Sequence, residues 1–228
     1  MFEGVLFDLD GTLLAIDIYE LIGLYFGALA PVIAPILQVD ADTAIKVVGG
    51  GTEAMMAPHQ GTNREVFDTY IEQMTGVDLR DKAHARTIET FYREVFPTLQ
   101  GSARPIQGAR SAVEAVLARG LPLGIATQPI FPALATKARL AWAGLGDIDL
   151  PIVSSYENSS STKPHLAYFA EMARRIGVAT EKCIMVGDDP VLDMSASQLG
   201  MQTFFVGSDP DVACTWRGTL ADFEALLA

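Results

Sequence analysis

Two carboxylates, Asp8 and Asp10, stand one residue apart where the apolar run Val5-Leu6-Phe7 gives out, and Gly11 follows them. Such a run reads as a buried parallel strand, and the glycine reads as the turn that closes it. The pair then sits at the carboxyl end of the strand, where open α/β sheets place their ligands. Alternation along an extended chain puts residues 8 and 10 on one side, facing one ligand. Two ionised carboxylates about 4 Å apart repel by roughly 4 kcal/mol at an effective dielectric of 20. The pair therefore calls for a cation or a shared proton.

Other parts of the chain supply what a phosphoryl-transfer site needs: a nucleophile, charge neutralisation and a proton for the departing oxygen. A second apolar run, Leu121 to Ala126, ends at Thr127. Lys163 stands in the stretch Ser161-Thr162-Lys163-Pro164, just before a predicted helix. A third run, Cys183 to Gly187, ends in Asp188-Asp189-Pro190, with Asp193 beyond. In this order the four segments resemble the motifs of the haloacid dehalogenase superfamily of aspartate-nucleophile hydrolases. The resemblance covers residues 2 to 14 and about 105 to the C-terminus. One motif alone would be weak, whereas four in order, three of them directly after strand-like runs, are specific. Gln128 departs from the pattern, which often has Asn there, and puts the local turn and any cap contact in question.

The resemblance implies roles. Asp8 would attack phosphorus and carry an aspartyl-phosphate, and Asp10 would protonate the leaving alcohol and then activate water. Asp8, Asp188 and the backbone carbonyl of Asp10 would hold Mg²⁺, which prefers hard oxygen ligands. Thr127 and Lys163 would bind the phosphoryl group, the lysine as a point charge. Asp189 and Asp193 would stand behind these groups, one supporting a ligand and the other holding Lys163, in an order the sequence leaves open. The implied function is Mg²⁺-dependent hydrolysis of a small phosphorylated metabolite. Haloacid dehalogenation shares the nucleophile but has no need of Asp10 or a metal. A sugar-phosphate mutase or other phosphotransferase, and a non-catalytic phosphate-binding regulator, are the alternatives.

Composition narrows the class. With 228 residues, 50% of them hydrophobic, the chain can bury a sizeable core. Its net charge of −12 provides no basic face for a nucleic-acid backbone. Cys183 and Cys214 read as reduced structural cysteines, and the opening Met1-Phe2-Glu3 is unlike a secretory leader, so a cytoplasmic location is expected. Leu21 to Val39 carries no charge and is long enough to span a membrane, yet it contains Pro31 and Pro35 and lacks basic flanks. It is expected to be buried in a helical cap, whole or broken near Pro31, or in a cap-mediated homodimer, and no membrane partner is expected.

From residue 15 to 104 the pattern is helical. Apolar stripes are expected over Thr62–Met74 (Val66, Phe67, Tyr70, Ile71, Met74) and Arg80–Phe96 (Ile88, Phe91, Tyr92, Val95, Phe96), and Gly49-Gly50-Gly51 reads as a break between helices. Beyond Pro105, strands at 152–153, 182–186 and 203–206 alternate with helices at 106–119, 131–142, 165–176, 191–199 and 219–227. The expected fold is α/β: a Rossmann-like parallel sheet with helices on both faces, residues 1–14 and 105–228, plus a mostly α-helical cap, residues 15–104. Thr12 reads as a turn-stabilising hydrogen bonder, Trp142 and Trp216 as packing anchors, and Ser159 to Ser161 as a polar loop. His59, His84 and His165 lack metal-ligand spacing and read as surface or helix-end residues.

Overall fold

The computed structural model describes residues 2–227, so Met1 and Ala228, the ends of the expected core, lie outside it. Strand β1 (Gly4–Phe7) leads through a tight turn to the short β2 (Leu14–Ala15). Helices α1 (Ile18–Leu37), α2 (Ala41–Met56), α3 (Asn63–Thr75) and α4 (Lys82–Thr90) follow, then a π turn, Phe91–Val95, and a 3₁₀ turn, Phe96–Leu99. Strand β3 (Arg104–Pro105) returns the chain to β2, pairing Leu14 with Pro105 and Ala15 with Arg104 in antiparallel register. The rest comprises α5 (Ala109–Ala118), β4 (Leu123–Ile125), α6 (Ala133–Trp142), α7 (Leu166–Arg175), β5 (Cys183–Gly187), β6 (Gln202–Val206), β7 (Trp216–Gly218) and α8 (Leu220–Leu226).

Five strands form one parallel sheet in the order β4-β1-β5-β6-β7. Period-two alternation divides β1 between two layers: Val5 and Phe7 pack with Val113 of α5 and Phe223 of α8, while Leu6 packs with Tyr168 and Phe169 of α7. Parallel strands covered on both faces must be apolar throughout, which is why β1 and β5 are fully buried. The architecture is the expected α/β sheet with a helical cap inserted after the first strand.

Four expectations about elements need correction. The glycine triplet 49–51 lies inside α2 rather than between helices. Its Gly50 and Gly51 abut Tyr70 and Phe67 of α3, where an added Cβ would stand 2.1 Å from the Tyr70 hydroxyl and 2.8 Å from the Phe67 ring. Ile152-Val153 makes a single parallel bridge, Ile125 to Val153, since Pro151 lacks a donor and the turn from Ser155 to Asn158 follows at once. The helix expected from Val191 shrinks to a 3₁₀ turn, Met194–Leu199, because the Asp189 carboxylate takes the amides of Val191 and Leu192 into a local turn. The two expected apolar stripes are narrower than their periodicity suggested, with Met74 in α3 57% exposed and Val95, in the π turn after α4, 37% exposed.

Helix α1 runs unbroken through Pro31 and Pro35. Leu21, Tyr25, Leu29, Ile33 and Leu37 are buried, while Ile18, Tyr19, Ile22 and Leu24 in the first two turns are exposed, so the segment is not buried all round. Among the described residues it is the one helix long and apolar enough to cross a membrane, with 39% of its apolar window buried.

Candidate active site

Strands β4, β1 and β5 end side by side, and their carboxyl ends carry Thr127, Asp8 and Asp188. Backbone bonds hold the three ends in step: the Asp8 amide donates to the Val186 carbonyl, and the Ala126 amide to that of Phe7. After Asp8 the chain turns back on itself, with the amides of Leu13 and Leu14 both donating to the Leu9 carbonyl. Gly11, at φ 90°, makes that reversal, and a Cβ on it would lie 2.1 Å from Asp188 Oδ2. Glycine is therefore needed twice over, for conformation and for the close approach of Asp188.

Lys163, 2% exposed, reaches this point from the loop before α7. Its Nζ donates to Asp8 Oδ1 and to Asp193 Oδ1, each at 2.6 Å. Burial pushes the ammonium down, but Asp193 and Asp8 outweigh it and hold the lysine above its ordinary range. Asp193 also accepts the Asp189 amide, so it anchors the lysine. Asp189 spends a carboxylate oxygen on its own turn. Of these two acids, Asp193 is the one that touches Lys163.

Asp188 accepts a hydrogen bond from the Thr12 hydroxyl at 2.8 Å. Thr12 is thus a hydrogen bonder, but its partner is across the site rather than in its own turn. Burial, then repulsion from Asp8, lifts the Asp188 carboxyl to about 6, while the Thr12 bond pulls the other way. The carboxylates of Asp8, Asp188 and Asp193 each place an oxygen within 4.8 Å of the others. Asp193 is the least available of the three for a metal, since Lys163 and the Asp189 amide already occupy both its oxygens.

Asp10 has a different environment. Its Oδ2 accepts from Nη1 of Arg139 on α6, a guanidinium 1% exposed that also stacks over Phe131, with Cζ 4.9 Å from the ring centroid. Burial raises the Asp10 carboxyl most, Arg139 draws it back, and Asp8 raises it again. Four carboxylates, Asp8, Asp10, Asp188 and Asp193, face two cations, Lys163 and Arg139, which leaves two negative charges when all are ionised. A divalent cation carries the charge that balances them.

Two buried oxygens in the site have no partner among the described residues, Thr127 Oγ1 and Asp10 Oδ1. The Thr127 backbone is pinned, its carbonyl accepting from Ser154 and Tyr168, so the hydroxyl has a fixed origin. Gln128 answers the question its identity raised. Its side chain accepts from the Lys163 amide at 2.9 Å and donates to the Lys163 carbonyl at 3.1 Å, tying the two loops together. The cap contact falls one residue on: Asn63, at the start of α3 and fully buried, donates to the Pro129 carbonyl at 2.8 Å. Sequence reasoning missed Arg139 and Asn63, which carry no motif and are brought in by packing alone.

A cavity of about 670 Å³ lies between the cap helices and the core, walled by Tyr25, Phe26, Phe67, Tyr92 and Phe131 among others. Phe131 joins its wall to the ring face under Arg139. Trp142 stacks on Phe96, and Trp216 lies half-buried in β7.

A family model described as haloacid dehalogenase-like hydrolase matches residues 2–199. The chain belongs to this family. This hydrolase is similar to the phosphoglycolate phosphatase of Rhodospirillum rubrum, 28% identical over 202 residues that span 87% of this chain and 77% of that protein. Its structure resembles a HAD phosphatase from Thermococcus onnurineus (TM-score 0.60, 20% identity, 99% and 98% of the two chains). It also resembles a 2-haloacid dehalogenase from Pseudomonas syringae pv. Tomato (TM-score 0.63, 23% identity, 100% and 98%). Identities of this size speak for the fold alone, and both chemistries occur on it. The side chains must decide between them.

Proposed function

We propose that this hydrolase is a Mg²⁺-dependent phosphatase of small phosphorylated metabolites, working through an aspartyl-phosphate on Asp8. The observation that carries the reading is that Asp8 and Asp10, chemically alike, are held by different cations. Lys163 grips Asp8, and Arg139 grips Asp10. Two carboxylates in contrasting surroundings can take two roles. A dehalogenase would have no use for the second.

Asp8 attacks phosphorus and the phosphorus–oxygen bond to the leaving group breaks. Lys163 and the free hydroxyl of Thr127 bind the transferring oxygens. Asp10 gives its proton to the departing alkoxide and then takes one from the water that opens the acyl phosphate. Asp8 and Asp188, with the Asp10 carbonyl, would hold Mg²⁺, which supplies charge neutralisation on the phosphoryl oxygens. The net negative charge and the spacing of the carboxylates fit that ion. Asp193 and Asp189 act behind these groups, the first by anchoring Lys163. We take residues 1–14 and 105–228 as the catalytic core and 15–104 as the cap, divided at the β2–β3 ladder. The free thiols of Cys183 and Cys214 favour a reducing, cytoplasmic setting.

Phosphate release from phosphoglycolate, sugar phosphates, nucleoside monophosphates and an aryl phosphate tests this. Turnover of at least one ester is expected with Mg²⁺ and not in excess chelator. Full turnover after verified metal removal, or release from none of the esters, would count against it.

A further inference from the structure

We infer that Arg139 is a positioning residue that fixes Asp10 for proton transfer, by gripping one carboxylate oxygen and leaving the other for the leaving group. The inference rests on the phosphatase reading and adds a residue outside the four motifs. Arg139 is buried to 1% exposure on α6, and its guanidinium does three things at once. Nη1 donates to Asp10 Oδ2, Nη2 donates to Thr136 Oγ1 at 3.3 Å, and Cζ lies 4.9 Å above the Phe131 ring. A planar fork held on one side by a ring and on another by a hydroxyl has little rotational freedom, so the carboxylate it grips has little either. Asp10 Oδ1 is buried and has no partner among the described residues, which makes it the oxygen able to exchange a proton.

Asp10 needs such support because the regular strand has already ended. Strand β1 stops at Phe7, the turn through Gly11 follows Asp8, and Asp10 makes only an isolated bridge to Leu14 outside the five-stranded sheet, so the sheet no longer fixes side-chain direction at residue 10. Lys163 meets Asp8 and Asp193. Arg139 is therefore the cation assigned to Asp10, and it comes from the helix that follows the Thr127 loop. No bond to the substrate is required of it. Its effect should grow with the demand for protonation of the leaving group, and binding of the phosphoryl group should not depend on it.

The test uses two esters of contrasting leaving group, an alkyl phosphate and an activated aryl phosphate, in wild type, Arg139→Lys and Arg139→Gln. The ratio of the two rates within one preparation is independent of how much protein is correctly folded. General acid-base catalysis contributes about 10² to 10⁴-fold, so the alkyl-to-aryl ratio should fall about tenfold or more in Arg139→Gln. Arg139→Lys, which keeps the charge without the fork, should fall between. The inhibition constant of inorganic phosphate should stay within about twofold of wild type. An unchanged ratio with both rates lowered would overturn the inference and mark a structural role. Phosphate inhibition weakened tenfold at constant ratio would overturn it in favour of a phosphate clamp. If Arg139→Gln fails to fold, the ratio in Arg139→Lys decides. Failure of the phosphatase reading is distinguishable, since wild type would then hydrolyse neither ester.

Discussion

As a proposed metal ligand, Asp188 would couple protonation, metal and stability in one carboxyl. Burial and the nearby Asp8 hold it at about 6, above the ordinary 3.8. The folded chain therefore binds this proton more tightly than the unfolded chain does. The group's contribution favours folding at low pH and is lost as pH rises from about 4 to about 6. A divalent cation needs the ionised form and offsets that loss only above this window. Millimolar MgCl₂ should raise Tm more at about pH 7.5 than at about pH 5, and differential scanning calorimetry at both values checks it. An equal rise at both would contradict the coupling. At this scale the placement of Asp8, Thr127 and Asp188 was legible in the sequence, since each stands where an apolar strand ends. Arg139, Asn63 and the bond from Thr12 to Asp188 were not legible, because each partner lies tens of residues away or more and no local pattern announces it.

Elements tell a similar story with a different cause. Helices in the cap were foreseeable from apolar spacing, and in the structure Thr62 with Glu65 forms the reciprocal capping pair that starts α3. What misled was glycine. Three in a row ordinarily interrupt a helix, whereas here Gly50 and Gly51 let α2 and α3 approach, and tertiary packing overrides propensity. The three positions then differ in a testable way. An added Cβ at Gly49 meets nothing within 4 Å, so Gly49→Ala should stabilise by about 0.5–1 kcal/mol through the unfolded chain. Gly50→Ala and Gly51→Ala should each destabilise by about 1 kcal/mol or more, since Tyr70 and Phe67 occupy the space. Urea titration of the three variants would show it, and three similar midpoints would contradict the packing argument. The edges of the sheet were harder to foresee: β7 is three residues long, and at the other edge Val153 contributes one bridge.

At the scale of the whole molecule, a parallel sheet supplies three adjacent strand ends and a helical cap covers them. Asn63 bonds to the Pro129 and Ser161 carbonyls, and His165, at the start of α7, bonds to the Met56 carbonyl, so cap and core meet beside the loops that carry Thr127 and Lys163. This arrangement serves one claim, that Asp8 carries the phosphoryl group while Asp10 moves the proton. Mixing Asp10→Asn with an activated aryl phosphate and Mg²⁺ slows the opening of the acyl phosphate more than its formation, because that leaving group needs little protonation. Mass spectrometry of the acid-quenched protein should then find an added phosphoryl group on Asp8. Its appearance on another residue, or near wild-type turnover by Asp8→Asn with the substitution verified intact, would contradict the account.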